Sequence, residues 1–119
     1  MVKILLADDS KLARLQTTAI LKKAGYDVYE AENGRQAVEM CEKIMPDFLL
    51  LDLLMPEMEG GAVVDYLQER KINIPFAILS ADIQNSTREE FLQRGALAVI
   101  SKPAKASELL HVILKNVKH

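Results

Sequence analysis

Cysteine, long apolar runs and an excess of charge of either sign are all scarce in this 119-residue sequence. Its one cysteine, Cys41, excludes an internal disulfide and fits a reducing compartment. The longest apolar stretch, residues 48–55, is interrupted by Asp52, whereas a membrane-spanning helix needs about 20 apolar residues. The formal net charge of −2 argues against a nucleic-acid binder that depends on bulk positive charge. We therefore expect a cytoplasmic protein with no signal peptide, no membrane segment and no nucleic-acid partner.

What the sequence does contain is a regular alternation of short apolar segments with longer amphipathic ones. Strands are predicted at residues 3–7, 27–31, 48–51, 76–79 and 98–101. Helices are predicted at residues 11–24 after the cap Ser10, 34–44, 61–70, from Ser86 or Thr87 to Gly95, and 106–117. The alternation predicts the α/β class, with five parallel strands and five helices in a doubly wound arrangement. The length predicts one domain spanning residues 1–119.

Polar side chains follow four of the predicted strands at the points where those strands end. They are Asp8 and Asp9 after the first strand, Asp52 after the third, Ser80 after the fourth and Lys102 after the fifth. Because the carboxyl ends of parallel strands lie at one edge of the sheet, we expect these side chains to converge on one site. Three converging carboxylates need a cation, and Mg²⁺, with Mn²⁺ as an alternative, suits a site that also accepts phosphate oxygens.

This set of groups fits phosphoryl chemistry. A carboxylate such as Asp52 can act as a nucleophile and form an acyl phosphate. Mg²⁺ and Lys102 would neutralise the transferring oxygens, and the Ser80 hydroxyl would donate a hydrogen bond to one of them.

The first predicted helix carries two apolar stripes more than a quarter turn apart. The stripe predicted to face the sheet consists of Ala13, Thr17, Ile20, Leu21 and Ala24. The second stripe consists of Leu12, Leu15 and Ala19, and is flanked by Lys11 and Arg14. This second stripe is either a set of surface apolar residues without a function or a face on which a partner protein docks.

The whole chain resembles the receiver domain of two-component response regulators, in its stand-alone, CheY-like form. The motifs that carry the resemblance are Asp8-Asp9-Ser10, residues 52–60 (DLLMPEMEG), Ser80-Ala81, and Gly95-Ala96 followed by Lys102-Pro103. The resemblance implies a flavodoxin-like fold with the sheet order 2-1-3-4-5. It also implies a signalling phosphoacceptor, rather than an enzyme, that assists its own phosphorylation and dephosphorylation.

The resemblance implies a role for each matching residue at the acidic site. Asp52 matches the phospho-accepting aspartate of the family. Asp9 matches the principal acidic metal ligand, and Asp8 matches the neighbour that acts mainly through bound water. The backbone carbonyl of Leu54 would complete the protein's share of the Mg²⁺ ligands, to which Asp52 also belongs.

The resemblance also implies switch and access positions around the acceptor. Ser80 matches the hydroxyl residue that moves toward the phosphoryl group, and Lys102 matches the lysine that pairs with it. Lys102–Pro103 would be a cis peptide bond. Ala81 is small, as access to the acceptor requires.

The sequence departs from the family at several positions. Val99 stands where the family often has an aromatic residue that turns inward on activation, so that form of switching is absent. Ala104 replaces a bulkier apolar residue on the same face. Leu54 and Asp82 occupy positions that tune dephosphorylation in the family.

The resemblance implies a histidine kinase or a phosphotransfer protein as donor. Because the sequence ends after the fifth predicted helix, we expect no effector domain and an output through a separate protein, which would be a downstream target or a phosphatase. Chemotaxis is one such pathway. A phosphate relay or sink without its own output is the alternative.

Two other function classes use part of the same inventory. Aspartyl-phosphate hydrolases of the haloacid-dehalogenase type place their nucleophile after the first strand in an Asp-x-Asp pattern, whereas Asp8 and Asp9 are adjacent. Flavodoxins bind flavin mononucleotide with a neutral, hydroxyl- and glycine-rich loop after the first strand, and the Asp8-Asp9 pair would repel its phosphate.

Overall fold

Five parallel strands form one sheet in the order β2-β1-β3-β4-β5 in the computed structural model, which describes residues 1–81 and 83–119. The strands are β1 (Lys3–Ala7), β2 (Asp27–Ala31), β3 (Phe48–Leu51), β4 (Phe76–Ser80) and β5 (Val99–Ser101). The helices are α1 (Lys11–Lys23), α2 (Gly34–Ile44), α3 (Gly60–Glu69), α4 (Asn85–Gln93) and α5 (Ala106–Asn116). The predicted class and sheet order are confirmed.

Helices cover both faces of the sheet because residues 4–7 of β1 and all four residues of β3 are apolar. Alternate residues of β1 point to opposite faces, so Leu5 packs with α2, α3 and α4, while Leu6 packs with α1 and α5. All four residues of β3 are buried in the same two-sided way. An all-apolar strand is typical of this burial, as the sequence indicates. The described helices are too short, or too polar, to span a lipid bilayer.

A side-chain cap explains where α1 begins, whereas α4 begins without one. At the start of α1, Ser10 Oγ accepts a hydrogen bond from the backbone N–H of Ala13 at 3.2 Å, as predicted. The predicted cap of α4 at Ser86 or Thr87 is wrong. The helix begins earlier because the carbonyl of Gln84, which has an extended backbone, accepts the first helical bond from Arg88.

The buried face of α1 differs slightly from the predicted one. Its buried residues are Thr17, Thr18 and Leu21. Ala24 is exposed, against the prediction, because the helix ends at Lys23 and Ala24 lies in the turn that follows. In the second stripe, Leu12 is 68% and Leu15 is 62% exposed. The second stripe therefore faces solvent.

Two glycines let the loops at the carboxyl edge of the sheet pack closely. A Cβ on Gly34, the first residue of α2, would lie 1.9 Å from the backbone oxygen of Met58. A Cβ on Gly60, the first residue of α3, would lie 2.5 Å from the backbone oxygen of Asp52. Both approaches require a residue without a side chain. The loop between β3 and α3 (residues 52–59) is thereby fixed against α2 and against the end of β3.

We expect Gly34→Ala to lower the free energy of unfolding by about 1–3 kcal/mol, because the added methyl group must displace the backbone at Met58. Gly61→Ala is the matched control. The Cβ added at residue 61 would lie 3.3 Å from the terminal nitrogen of Arg94. Alanine also has a more favourable helix propensity than glycine, by up to about 1 kcal/mol. Urea denaturation measures both variants. Equal stability of Gly34→Ala and the wild type would contradict the tight loop contact.

Candidate functional site

Three carboxylates meet at the carboxyl edge of the sheet. Asp8 and Asp9 follow β1, and Asp52 follows the neighbouring strand β3. One oxygen of each carboxylate lies within 4.8 Å of the others. Asp8 and Asp52 are buried, whereas Asp9 is exposed. The two buried carboxylates form what we call the floor of the site, and the exposed carboxylate of Asp9 lies at its rim.

Lys102 and Ser80 complete the floor of this site. Lys102 follows β5, and its Nζ lies 2.5 Å from Asp8 Oδ2 and 2.8 Å from Asp52 Oδ2. Ser80, the last residue of β4, donates its hydroxyl to Asp52 Oδ1 at 2.8 Å. The structure thus brings together all five polar side chains that the sequence placed at the strand ends.

The loops after β1 and β3 hold the two buried carboxylates through their backbone. The N–H of Ser10 donates to Asp8 Oδ1 at 2.9 Å, and the N–H of Leu54 donates to Asp52 Oδ1 at 3.2 Å. Each carboxylate therefore has one oxygen oriented by its own loop and the other facing Lys102. This arrangement fixes the direction of both side chains.

The pKa values of Asp8 and Lys102 record the opposing forces at the site. Burial raises the pKa of the Asp8 carboxyl above its usual range, although the Lys102 ammonium beside it acts in the opposite direction. Burial alone would lower the pKa of the Lys102 ammonium. The carboxylates of Asp52 and Asp8 outweigh that effect, so its pKa is raised. Lys102 is thus held in its charged form.

The residues at this site fit a hard divalent cation. Lys102 balances only one of the three clustered carboxylates. Asp8 Oδ2 is buried and, within residues 1–81 and 83–119, accepts no well-aligned hydrogen bond, although Lys102 lies beside it. An oxygen-only ligand set with excess negative charge is the kind that Mg²⁺ and Mn²⁺ prefer.

The predicted switch and access residues lie on or next to β4 and β5. Ala81 is exposed next to Ser80, and Lys102–Pro103 is a cis peptide bond, as predicted. Val99 is buried, and its carbonyl accepts a hydrogen bond from Arg88 Nη1 at 2.6 Å. Asp82, a predicted tuning position, lies outside the described residues.

The predicted docking residues separate into two groups. Lys11, Leu12 and Leu15 are exposed on α1. Arg14 is only 13% exposed, and its guanidinium turns away from that stripe to the backbone oxygen of Asp8 and to Glu30. Beside α1, a groove of about 250 Å³ is lined by α1 residues and by residues 102–104.

Some residues that shape the site were not identified from the sequence. The contact of Arg14 with Asp8 has no sequence signal, because an arginine in the first turns of a helix usually indicates a solvated cation. The close approaches of Gly34 and Gly60 depend on the distance between loops, which one sequence does not encode locally. Each of these contacts joins residues that are brought together only by the tertiary structure.

Comparison with known proteins agrees with this geometry. The family model described as the response regulator receiver domain matches residues 4–114. The protein-glutamate methylesterase/protein-glutamine glutaminase of Archaeoglobus fulgidus is 40% identical over 105 residues, which cover 86% of this chain and 30% of that protein. The chemotaxis protein CheY of Thermotoga maritima is 33% identical, with 98% of both chains covered. The chain thus spans under a third of one relative and nearly all of the other.

A solved structure shows the same fold. The chain is similar to a crystal structure described as the CheX–CheY–BeF₃–Mg²⁺ complex from Borrelia burgdorferi, with a TM-score of 0.89 and 26% sequence identity. The alignment covers 96% of this chain and 87% of that one.

We expect Lys102→Met to lower the free energy of unfolding by about 3 kcal/mol in metal-free buffer, because it leaves the buried carboxylates of Asp8 and Asp52 without their cation. Lys105→Met, which removes an exposed ammonium, should change stability by less than about 0.5 kcal/mol. Urea denaturation of both variants tests this. If the two variants lose the same stability, the ion pair with the carboxylates has no special role.

Proposed function

The chain belongs to the response regulator receiver domain family, and we propose that it is a phosphorylation-controlled switch of two-component signalling whose phosphoacceptor is Asp52. One observation carries the proposal. Both oxygens of the buried Asp52 carboxylate are hydrogen bonded, Oδ1 to Ser80 and Oδ2 to Lys102, beside two further aspartates. A nucleophile, two donors for phosphate oxygens and a cation site are thereby assembled at one edge of the sheet.

The proposed reaction is transfer of a phosphoryl group from a phosphohistidine of the donor. A carboxylate oxygen of Asp52 attacks the phosphorus, and a P–O bond forms while the P–N bond to the imidazole breaks. The leaving imidazole nitrogen takes up a proton. When bound by Asp8, Asp9, Asp52 and the Leu54 carbonyl, Mg²⁺, or Mn²⁺ in its place, would supply positive charge to the transferring oxygens.

Ser80 and Lys102 supply the conformational step in this proposal. In the unphosphorylated structure both donors are bonded to Asp52 itself. Once one Asp52 oxygen carries the phosphoryl group, the negative charge of the carboxylate is lost. The phosphoryl oxygens then become the stronger hydrogen-bond acceptors. The Ser80 hydroxyl and the Lys102 ammonium then move to those oxygens, and the loops that follow β4 and β5 move with them. The switch acts by shifting the population of two conformations.

The proposed output is contact with a separate protein. The Thermotoga relative, of which the chain covers 98%, is a chemotaxis protein, which supports an output of the chemotaxis kind through a partner protein.

We expect Asp52→Asn to abolish phosphorylation by a small phosphodonor with Mg²⁺, because the amide is a poor nucleophile. Asp47→Asn is the matched control. The Asp47 carboxylate accepts a hydrogen bond from the backbone N–H of Lys3, at the opposite edge of the sheet, and should accept no phosphoryl group. Asp47→Asn should therefore be phosphorylated to the same extent as the wild type. Intact-protein mass spectrometry measures the phosphorylated fraction. Undiminished labile phosphorylation of Asp52→Asn would sink the assignment.

The same proposal places the docking of the phosphodonor or a phosphatase on α1. Leu12 and Leu15 form an exposed apolar stripe, with Lys11 beside it. The groove that α1 shares with residues 102–104 leads from this helix to Lys102 of the acceptor site. A helix of the donor domain packed on this surface would bring its phosphohistidine close to Asp52.

We expect the double variant Leu12→Ser, Leu15→Ser to slow transfer from a phosphorylated histidine kinase or phosphotransfer domain by about ten-fold or more. Phosphorylation by the small donor should be unchanged, because the acceptor site is untouched. Leu92→Ser, on α4, is the control for loss of an exposed leucine. Rates from rapid-quench experiments test this, and an equal loss with both donors would indicate damage to the fold instead.

A further inference from the structure

Arg14 connects α1 to the acidic loop after β1. Its Nη1 donates to the backbone oxygen of Asp8 at 2.7 Å, and its Nε donates to Glu30 Oε1 at 3.1 Å. Its Nη2 also lies 3.9 Å from a carboxylate oxygen of Glu32. The side chain is 13% exposed. Its head group is therefore engaged within the protein rather than displayed for a partner.

The carbonyl that Arg14 binds belongs to the peptide unit that joins Asp8 to Asp9. The N–H of Asp8 donates to the carbonyl of Ala31 in β2 at 3.0 Å. The backbone of Asp8 is thus held by β2 through its N–H and by Arg14 through its carbonyl. Because the peptide unit is planar, the bond from Arg14 to the Asp8 carbonyl orients the peptide that leads to Asp9, while the N–H bond anchors the peptide before it.

Asp9 depends on this backbone for its direction. Its carboxylate is exposed and, among the residues described, takes part in no hydrogen bond or ion pair. By contrast, Ser10 and Lys102 hold the side chain of Asp8 directly. If the Asp8–Asp9 peptide rotates, the Asp9 side chain leaves the backbone in another direction and moves away from Asp8 and Asp52.

We propose that Arg14 is a positioning residue for the divalent cation, which it serves by fixing the Asp8–Asp9 peptide so that the Asp9 carboxylate stays within reach of Asp8 and Asp52. The inference rests on the proposed function, because it takes the cation site from there. It assigns Arg14 to the site rather than to the docking face that the sequence suggested.

The partners of Arg14 explain why a cation is tolerated beside a cation site. The carboxylate of Glu30 pairs with the guanidinium of Arg14 and offsets much of its positive charge. The guanidinium therefore repels a cation at the site less than a free arginine would. The planar fork of arginine bonds the carbonyl of Asp8 and the carboxylate of Glu30 with separate N–H groups in a fixed geometry. A lysine has one head-group atom for both acceptors and would hold neither as firmly.

The test measures Mg²⁺ binding to the unphosphorylated full chain by isothermal titration calorimetry. Arg14→Met should weaken Mg²⁺ binding about ten-fold, the size of effect that loss of an outer-shell partner typically has. Arg14→Lys should weaken it less, but measurably. Urea denaturation without Mg²⁺ reports the stability of each variant separately.

Arg94→Met is the matched control. Arg94 also donates to a backbone carbonyl, that of Gly61 at 2.8 Å, and to the carboxylates of Asp65 and Glu90, but it joins α3 to α4. Its loss should lower stability and leave Mg²⁺ affinity unchanged. Wild-type affinity in Arg14→Met, or an equal loss of affinity in Arg94→Met, would overturn the inference.

Two further outcomes keep the inference and the proposed function distinguishable. If Arg14→Met does not fold, Arg14→Lys decides, and wild-type Mg²⁺ affinity in that variant would overturn the role of the fork. If the wild type itself binds no Mg²⁺, the cation site of the proposed function fails, and the role of Arg14 fails with it.

Discussion

The ammonium of Lys102, held between the carboxylates of Asp8 and Asp52, is the interaction on which the rest of the site depends. The parallel register pairs Ala7 of β1 with Leu51 of β3, so the residues that follow, Asp8 and Asp52, leave the sheet side by side and are buried. Two buried carboxylates in that position repel each other and lose their hydration. Lys102 follows the edge strand β5 and must reach past β4 to Asp52 and past both β4 and β3 to Asp8. The long, cationic side chain of Lys102 therefore stabilises the two buried carboxylates.

In the proposed function, the same interaction would give the site its capacity to switch. Lys102 and Ser80 satisfy Asp52 in the unphosphorylated structure, and their bonds are to atoms that the proposed chemistry would alter. The third carboxylate, Asp9, is left outside this arrangement at the rim. The two buried carboxylates share a single ammonium, so the cluster of three keeps an excess of negative charge. The folded protein therefore has an excess of negative charge at the place where a phosphoryl group would bind, and a divalent cation there would offset it.

The extent to which this architecture could be predicted from the sequence follows from the range of each interaction. The apolar runs of β1 and β3 report two-sided burial because each residue of such a strand contacts a covered face. Once the strands are parallel, the convergence of Asp8, Asp52 and Lys102 is a consequence of topology. The position of a helix start such as that of α4 depends on a single extended residue, Gln84, without a side-chain cap. The contact of Arg14 with Asp8 depends on a rotamer and on Glu30 in another strand, and no local pattern encodes either.

In the proposed function, the two faces of α1 would link partner docking to the cation site. Leu12 and Leu15 are exposed, while Arg14, between them in sequence, points to the backbone of the acidic loop. A helix is stiff over so short a distance, so a partner that packs on the leucines also restrains the turn that carries Arg14. In the functions proposed for these residues, a phosphodonor on α1 would hold the peptide between Asp8 and Asp9 in place during transfer. Docking would then contribute to the order of the cation site as well as to the approach of the phosphohistidine.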